Sequence, residues 1–258
     1  MFKIFLIAFF SLNVIAQEKN EILKKIDAQY FYPIEHGLNN YCVQVFSPEM
    51  QEFLNVKLLS QKTDKIVFKL CDQKGNFTVQ SIYQLKDEFK YFEDIIEKIL
   101  INKINYISPK PLNGILADYE LNFELQNKTT IINAKNTSVS EHNEIVYSIE
   151  NNNITKIVFK KPTGTTSIYP EWKKYKWSKG LLVLDRFSIE QREGTQNLKS
   201  MVKLKYHDLI KMGLVQKIDI STQQSLINSK NRLKNQDVTR QVNYSILFDQ
   251  YELSTGSM

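Results

Sequence analysis

The segment Gly180–Gln191 (GLLVLDRFSIEQ) decides the fold, because its alternating pattern returns later in the chain. It is followed by a polar turn and by Met201–Leu209 (MVKLKYHDL). The same arrangement recurs as Gly213–Gln223 (GLVQKIDISTQ), a polar connection and Tyr244–Leu253 (YSILFDQYEL). Apolar and polar residues that alternate on both sides of a turn predict a β-hairpin with one buried face. The last third of the chain is therefore predicted to hold two antiparallel hairpins.

Alternation of this kind extends over most of the chain and predicts about a dozen strands. Asparagine-rich turns, such as the one at 151–153, separate some of them. The polar stretch 223–237 is predicted to be a mobile loop. The predicted strands cover residues 41–46, 53–59, 65–71, 77–83, 115–125, 129–134, 144–149, 155–160, 181–191, 198–206, 214–222 and 242–253.

Two segments instead carry apolar residues at helical spacing. Glu21–Tyr32 is one, and Asp87–Asn105 is the other, with Phe89, Phe92 and Ile96 on one face. Two helices cannot cover so wide a sheet while it stays flat, whereas a curled sheet can enclose them. The predicted fold class is mainly β (α+β), an unclosed antiparallel β-barrel (half-barrel) with helices packed in its concave face.

The N-terminus has the three-part layout of an export signal. Met1–Lys3 gives a positive start, Ile4–Leu12 is an apolar run too short to span a bilayer, and small side chains occur near Ala16. We predict a signal peptide over residues 1–16, cleaved after Ala16, and a single open-barrel domain over residues 17–258. No cysteine follows the cleavage site to carry a lipid anchor. The chain is therefore predicted to be an exported protein.

The formal charge of +6 is spread along the 258 residues without an arginine-rich tract, which argues against a nucleic-acid partner. A basic surface suits anionic lipid headgroups, and it is also ordinary for a soluble lysine-rich chain. Both tryptophans and four lysines lie within residues 171–179. Trp172, Tyr175 and Trp177 are predicted to dock transiently on a membrane or a membrane protein. The alternative is an edge strand guarded by lysines.

The chain has two cysteines, Cys42 and Cys71, and an exported protein can join such a pair as a disulfide. We place them on the first and third predicted strands, which are too far apart to bridge when another strand lies between them. Buried thiols are therefore favoured over a disulfide. The three histidines, His36, His142 and His207, are scattered, so no metal site and no cofactor are expected.

Acidic side chains give the best candidates for catalysis, and they are weak ones. Asp118, Glu120 and Glu124 share one face of a predicted strand. Paired acids perform glycoside chemistry only when they face each other across a cleft. The turn at 162–164 contains one glycine, too few for a phosphate-binding loop. The protein is therefore expected not to be an enzyme.

The order of elements runs from a signal through a helix, a strand meander and a second helix to a long series of hairpins. Aromatic strands at Lys203–Asp208 (KLKYHD) and Ile246–Tyr251 (ILFDQY) close the chain, and a strand follows a glycine turn at 179–187 and again at 213–220. This order resembles the periplasmic lipoprotein carriers, the outer-membrane lipoprotein-sorting superfamily. The resemblance implies a concave apolar face that holds the acyl chains of a lipoprotein in transit.

The leading hypothesis is a non-enzymatic carrier whose partner is an acyl chain of a lipid or lipoprotein, held in an apolar concave cavity. Burying a chain of roughly fourteen carbons offers on the order of 10 kcal/mol before ordering costs, so apolar contact alone can retain such a ligand. The alternative is an exported β-rich interaction or scaffold protein. In that case the same side chains fill a solid core and no lipid is bound. The candidate lipid-binding residues are Leu54, Val56, Phe68, Phe89, Phe92, Ile96, Phe187 and Phe248.

Overall fold

The computed structural model of the protein describes residues 20–36, 38, 40–49, 51–52, 67–73, 76–81, 94, 98, 109–136, 144–194, 196–207, 213–226 and 240–253. The predicted signal peptide and the predicted strand 53–59 lie outside these residues. So does most of the predicted helix 87–105, of which Asp94 and Lys98 are described and are helical.

The described residues form twelve strands in one antiparallel sheet. The strands are β1 (Asn40–Phe46), β2 (Phe68–Gln73), β3 (Asn76–Ser81), β4 (Glu120–Gln126), β5 (Thr129–Lys135), β6 (Glu144–Glu150), β7 (Asn153–Lys161), β8 (Gly164–Lys174), β9 (Leu182–Glu193), β10 (Gln196–Tyr206), β11 (Val215–Leu226) and β12 (Arg240–Leu253). Strands β4 to β12 pair in chain order, and β1 joins the free side of β12 and carries β2 and β3 beyond it. The sheet is not closed into a barrel, because β3 and β4 end it in the described part of the chain. This open, mainly β architecture confirms the predicted fold class.

One apolar face runs across the sheet because directly opposed residues of neighbouring strands lie on the same face. Val45 lies opposite Phe68 on one side and Phe248 on the other, and all three are buried. At the other end of the sheet, Tyr147 and Ile157 are paired in the same way. This shared face provides the core.

A short helix at residues 20–27 packs on the apolar face of β5 to β7 and buries Leu23 and Ile26 there. The helix ends before Tyr32, the predicted end, because the following residues turn into an extended segment. The N–H of Phe31 donates to the carbonyl of Leu182 at 2.9 Å, and the N–H of Leu182 donates to the carbonyl of Gln29 at 2.8 Å. The chain after the helix therefore lies parallel to β9 at one bridge.

Three strand predictions were wrong in detail. Strand β8 was missed, because its apolar alternation is weak and it contains Pro170. The first residues of the predicted strand 115–125 belong to a helical turn, Leu112–Ile115, and to the turn that follows it. The predicted start of a loop at residue 223 was wrong, since β11 continues to Leu226 in register with β10, and residues 227–237 of that predicted loop lie outside the described residues.

The preference for free thiols was also wrong, because Cys42 and Cys71 form a disulfide. The prediction placed a strand between their two strands. In the structure β1 and β2 are direct neighbours and the two cysteines lie opposite each other, with their Cα atoms 4.1 Å apart. Directly opposed residues of neighbouring strands are close enough for a disulfide to join them, whereas residues separated by a further strand are not.

Among the described residues there is no helix with the length and apolar character needed to cross a bilayer.

Candidate functional site

A cavity of about 400 Å³ lies on the apolar face of the sheet, beneath the segment that follows the N-terminal helix. Strands β6 to β10 supply most of its wall, and residues 109–115 lie at its border. Its aromatic lining side chains are Tyr30, Phe31, Tyr32, Tyr147, Phe159, Trp172, Trp177, Phe187 and Tyr206. Its aliphatic lining side chains are Leu112, Ile115, Ile145, Ile154, Ile157, Ile168, Val183 and Leu184.

The cavity lies where β7 and β8 separate. The ladder between these strands runs from Lys161 and Gly164 to Ile157 and Ile168. In the described chain it goes no further, although β7 begins at 153 and β8 continues to 174. Proline lacks the N–H that a ladder needs, and Pro170 lies in β8 just beyond the last pair. The separation leaves room between the two strands for side chains from elsewhere.

Tyr30 and Trp172 occupy this separation, with their ring centroids 4.4 Å apart. The N–H of Ile154 donates to the Tyr30 hydroxyl at 2.6 Å, and the Trp172 indole N–H donates to the carbonyl of Ile154 at 2.8 Å. Two side chains thus satisfy backbone groups of β7 that face away from its paired neighbour. An unsatisfied buried backbone group would be costly, so these bonds stabilise the gap in the sheet.

An aromatic cluster forms the opposite wall around Trp177, which is 9% exposed. Tyr175 stacks on Trp177 at 5.2 Å between centroids, Phe31 meets its edge at 5.1 Å, and Tyr206 lies 5.5 Å away. Gly213 lies against this cluster with a φ of +70°. A Cβ added there would be 2.9 Å from Cζ3 of Trp177, so the close approach requires glycine.

The carboxylate of Asp27 fixes the border of the cavity. It accepts hydrogen bonds from the N–H of Leu112 at 2.7 Å, from the N–H of Asn113 at 3.0 Å and from the hydroxyl of Tyr32 at 2.8 Å. The last helical residue of the N-terminal helix thereby holds the turn Leu112–Ile115 in place. These bonds cap the free amides at the start of that turn.

The described side chains that line the interior of the cavity are uncharged. Burial raises the pKa of the Tyr30 phenol to about 12, and it raises the pKa values of Tyr147 and Tyr206 still further above their usual range. These phenols therefore stay protonated at physiological pH. Lys110 is the one charged side chain among the described lining residues, and it is exposed. Such a site can enclose an apolar ligand and offers one cation at its border.

No group of side chains suited to metal binding occurs in the part of the chain that the structure describes. Three or more histidine, cysteine, aspartate or glutamate side chains do not come together there as metal ligands. Glu120 and Glu124 are exposed on β4, and the Glu124 carboxylate accepts hydrogen bonds from Asn122, Gln126 and Asn133. These acids are solvated on a strand face and do not line the cavity.

The predicted lipid-binding residues are divided by the structure. Phe187 lines the cavity and is 1% exposed. Phe68 and Phe248 are buried in the same core cluster as Phe187, at the β1 and β2 end of the sheet, and are not among the lining residues. The remaining candidates, Leu54, Val56, Phe89, Phe92 and Ile96, lie outside the described residues.

The three residues predicted to dock on a membrane lie around the cavity. Trp172 and Trp177 line it, and the Tyr175 hydroxyl donates to the Asp185 carboxylate at 2.6 Å. Docking through these rings needs exposed indoles, whereas Trp177 is buried and Trp172 is half-buried. Their placement fits a role in the cavity wall instead.

The sequence interpretation missed most of the lining from β6 to β8. The alternation of Ile145, Tyr147 and Ile149 marked one face of a strand, and Ile157 and Phe159 continued that face on the next. This alternation identified buried residues, but it could not distinguish residues of a solid core from residues that line a cavity.

Comparison with models of known protein families, with curated proteins and with solved structures finds no match to this chain. The function is therefore argued from the geometry of the cavity.

Proposed function

We propose that the protein is a non-enzymatic carrier that holds an acyl chain of a lipid or lipoprotein in the cavity between β6–β10 and the N-terminal segment. The observation that supports this proposal is an apolar cavity of about 400 Å³ on the apolar face of an open antiparallel sheet. Ligand sites of small molecules have volumes of about 300–1,000 Å³ and mostly apolar walls. The predicted signal peptide would place the carrier in the periplasm.

The free energy of apolar burial is enough to bind an acyl chain, so specific polar contacts are not needed. Each methylene removed from water contributes about 0.8 kcal/mol, so ten buried methylenes contribute about 8 kcal/mol. Association costs at least about 4 kcal/mol in lost freedom of motion. For ten methylenes the surplus is at most about 4 kcal/mol, which corresponds to millimolar binding, and a longer chain binds more tightly.

The way the cavity walls are supported also favours ligand binding over collapse of the cavity. The gap between β7 and β8 is kept open by two hydrogen bonds, one from the Ile154 N–H to the Tyr30 hydroxyl and one from the Trp172 indole N–H to the Ile154 carbonyl, which fix the wall residues in place. An aromatic cluster fixes the facing wall. Walls supported in this way remain apart when the cavity is empty. Because the site is already formed, ligand binding loses less conformational entropy.

The rival proposal is an exported interaction or scaffold protein without a lipid ligand. Native mass spectrometry after gentle purification separates the two proposals. The carrier is expected to retain a bound species of lipid mass, which organic extraction removes and added palmitate replaces. A protein that carries no lipid and takes up no palmitate would contradict the carrier proposal and favour the scaffold.

A pair of matched variants tests whether the ligand occupies this cavity. Ile157 lines the cavity, so Ile157→Trp fills part of it and is expected to lower lipid retention at least several-fold. Leu125 is 76% exposed on β4, so Leu125→Trp adds the same indole away from the site and is expected to leave retention unchanged. Equal retention by both variants would place the ligand elsewhere.

A further inference from the structure

Lys110 is the one charged side chain among the described residues that line the cavity, and it is exposed. All the other described lining residues are uncharged, and burial keeps the lining phenols of Tyr30, Tyr147 and Tyr206 protonated. An amphiphile that places its tail among these side chains must leave its head group near the border, where water and a charged side chain are available. The sign of that side chain then selects among head groups.

The position of Lys110 is fixed by its neighbours in the chain. It lies between Pro109 and Pro111, whose rings restrict the backbone on both sides. The carbonyl of Pro111 accepts hydrogen bonds from the N–H groups of Gly114 and Ile115 at 3.0 and 3.1 Å. The backbone at Lys110 is thus restricted by a short rigid segment.

The acidic side chain tied to this segment is Asp27, and its carboxylate has other partners. It accepts hydrogen bonds from the amides of Leu112 and Asn113 and from the Tyr32 hydroxyl. Those three donors stabilise the carboxylate where it is. The ammonium group of Lys110 is exposed and can meet an incoming anion.

We propose that the cavity takes a single acyl chain with an anionic head group, of the fatty-acid type, and that Lys110 contacts that head group. This inference rests on the proposed carrier function and adds the class of ligand to it. The tail supplies most of the affinity through apolar burial. The lysine supplies the discrimination, because it attracts an anion and repels a cation of equal chain length.

Three ligands with one tail test the proposal by isothermal titration calorimetry at concentrations below micelle formation. Dodecanoate, dodecanol and dodecyltrimethylammonium carry a negative, a neutral and a positive head group on the same chain. Dodecanoate is expected to bind tightest and dodecyltrimethylammonium weakest. Because an exposed ion pair is worth little, Lys110→Gln is expected to weaken dodecanoate about two- to fivefold and to bring it level with dodecanol. Lys110→Glu is expected to reverse the order of the two ions.

The control variant is Lys128→Glu, which makes the same charge change at an exposed turn residue that does not line the cavity. It is expected to leave the order of the three ligands unchanged. Equal binding of all three ligands, or an order of affinities unaffected by Lys110→Glu, would overturn the proposal of an anionic head group. Either result would leave the acyl-carrier proposal standing. Binding of none of them would overturn the carrier proposal itself.

Discussion

The rings of Tyr30 and Trp172 lie 4.4 Å apart in the space where β7 and β8 separate. Tyr30 follows the N-terminal helix, and Trp172 belongs to β8, yet both bond to the backbone of Ile154 in β7. This contact joins the N-terminal segment to the middle of the sheet. It also forms one wall of the cavity, so stability and ligand binding are expected to respond together when it is changed.

The Tyr30 hydroxyl is the acceptor for the N–H of Ile154. Tyr30→Phe keeps the ring but leaves that amide without its partner, and we expect it to lower the free energy of unfolding by about 1–3 kcal/mol. Urea denaturation followed by circular dichroism measures the change. Tyr169→Phe is the control, because that half-buried ring lies under the Lys156 ammonium, 5.3 Å from its centroid, and is expected to change stability by less than about 0.5 kcal/mol. Equal losses in the two variants would contradict the role given to the Tyr30 hydroxyl.

Alkaline pH is expected to weaken the fold through the same residue. Burial raises the pKa of Tyr30 from 10.0 to about 12, so the folded protein keeps the phenolic proton at a pH where the unfolded chain has lost it. The stabilising contribution of this residue is therefore complete below the unfolded pKa and is lost as pH rises toward the folded pKa.

The difference in unfolding free energy between the wild type and Tyr30→Phe should accordingly shrink by about 2 kcal/mol between about pH 9 and about pH 11.5. Urea titrations at several pH values in this range measure it. A difference that stays constant with pH would show that the Tyr30 phenol titrates normally in the folded protein.

Gly213 gives a test of the aromatic wall. An alanine there brings Cβ to 2.9 Å from Trp177 and 3.0 Å from Phe31, in addition to the cost of a positive φ. We expect Gly213→Ala to destabilise the protein by roughly 2–4 kcal/mol and to reduce binding of fatty acid.

Gly180 is the matched control for this substitution. It also has a positive φ, of +85°, but an added Cβ meets nothing within 4 Å. Gly180→Ala is expected to cost only the backbone strain, roughly 1 kcal/mol, and to leave binding intact. Thermal unfolding and calorimetric titration measure both effects. Similar losses in the two variants would mean that the contact with Trp177 is not the cause.

The Cys42–Cys71 disulfide closes a loop with a sequence separation of 29. Restricting a loop of that size in the unfolded chain is worth about 3–4 kcal/mol, so the double variant Cys42→Ala/Cys71→Ala should be less stable by roughly that amount. Urea denaturation of the oxidised protein and the variant measures it. Alkylation of both thiols in protein purified without a reductant would contradict the disulfide.

Sequence patterning identified the strands well because each strand's alternation is a local property. The hairpin β9–β10 and the long pairing of β11 with β12 both follow from the repeated pattern after Gly180 and Gly213. Strand β8 escaped detection because its polar residues and Pro170 hide the alternation. Local patterning therefore predicted the class of the elements more reliably than their limits.

The order of strands in the sheet could not be read in the same way, since it depends on contacts between distant residues. Nothing local in β1 indicates that it pairs with β12, and the mistaken separation of Cys42 from Cys71 had this origin. The cavity depends on such contacts too. It exists because Tyr30, predicted to be helical, instead reaches Ile154 across a gap that no pattern of one strand encodes.

The most direct measurement for the acyl-carrier proposal is quenching of tryptophan fluorescence by a brominated fatty acid, which acts only at short range. The chain has two tryptophans, Trp172 and Trp177, and both line the cavity. Titration of the delipidated protein with bromododecanoate should quench most of the emission and saturate at one ligand per protein, whereas unbrominated dodecanoate should compete for the site. Emission that remains unchanged, or that falls without saturation as it does for free tryptophan, would contradict an acyl chain in this cavity.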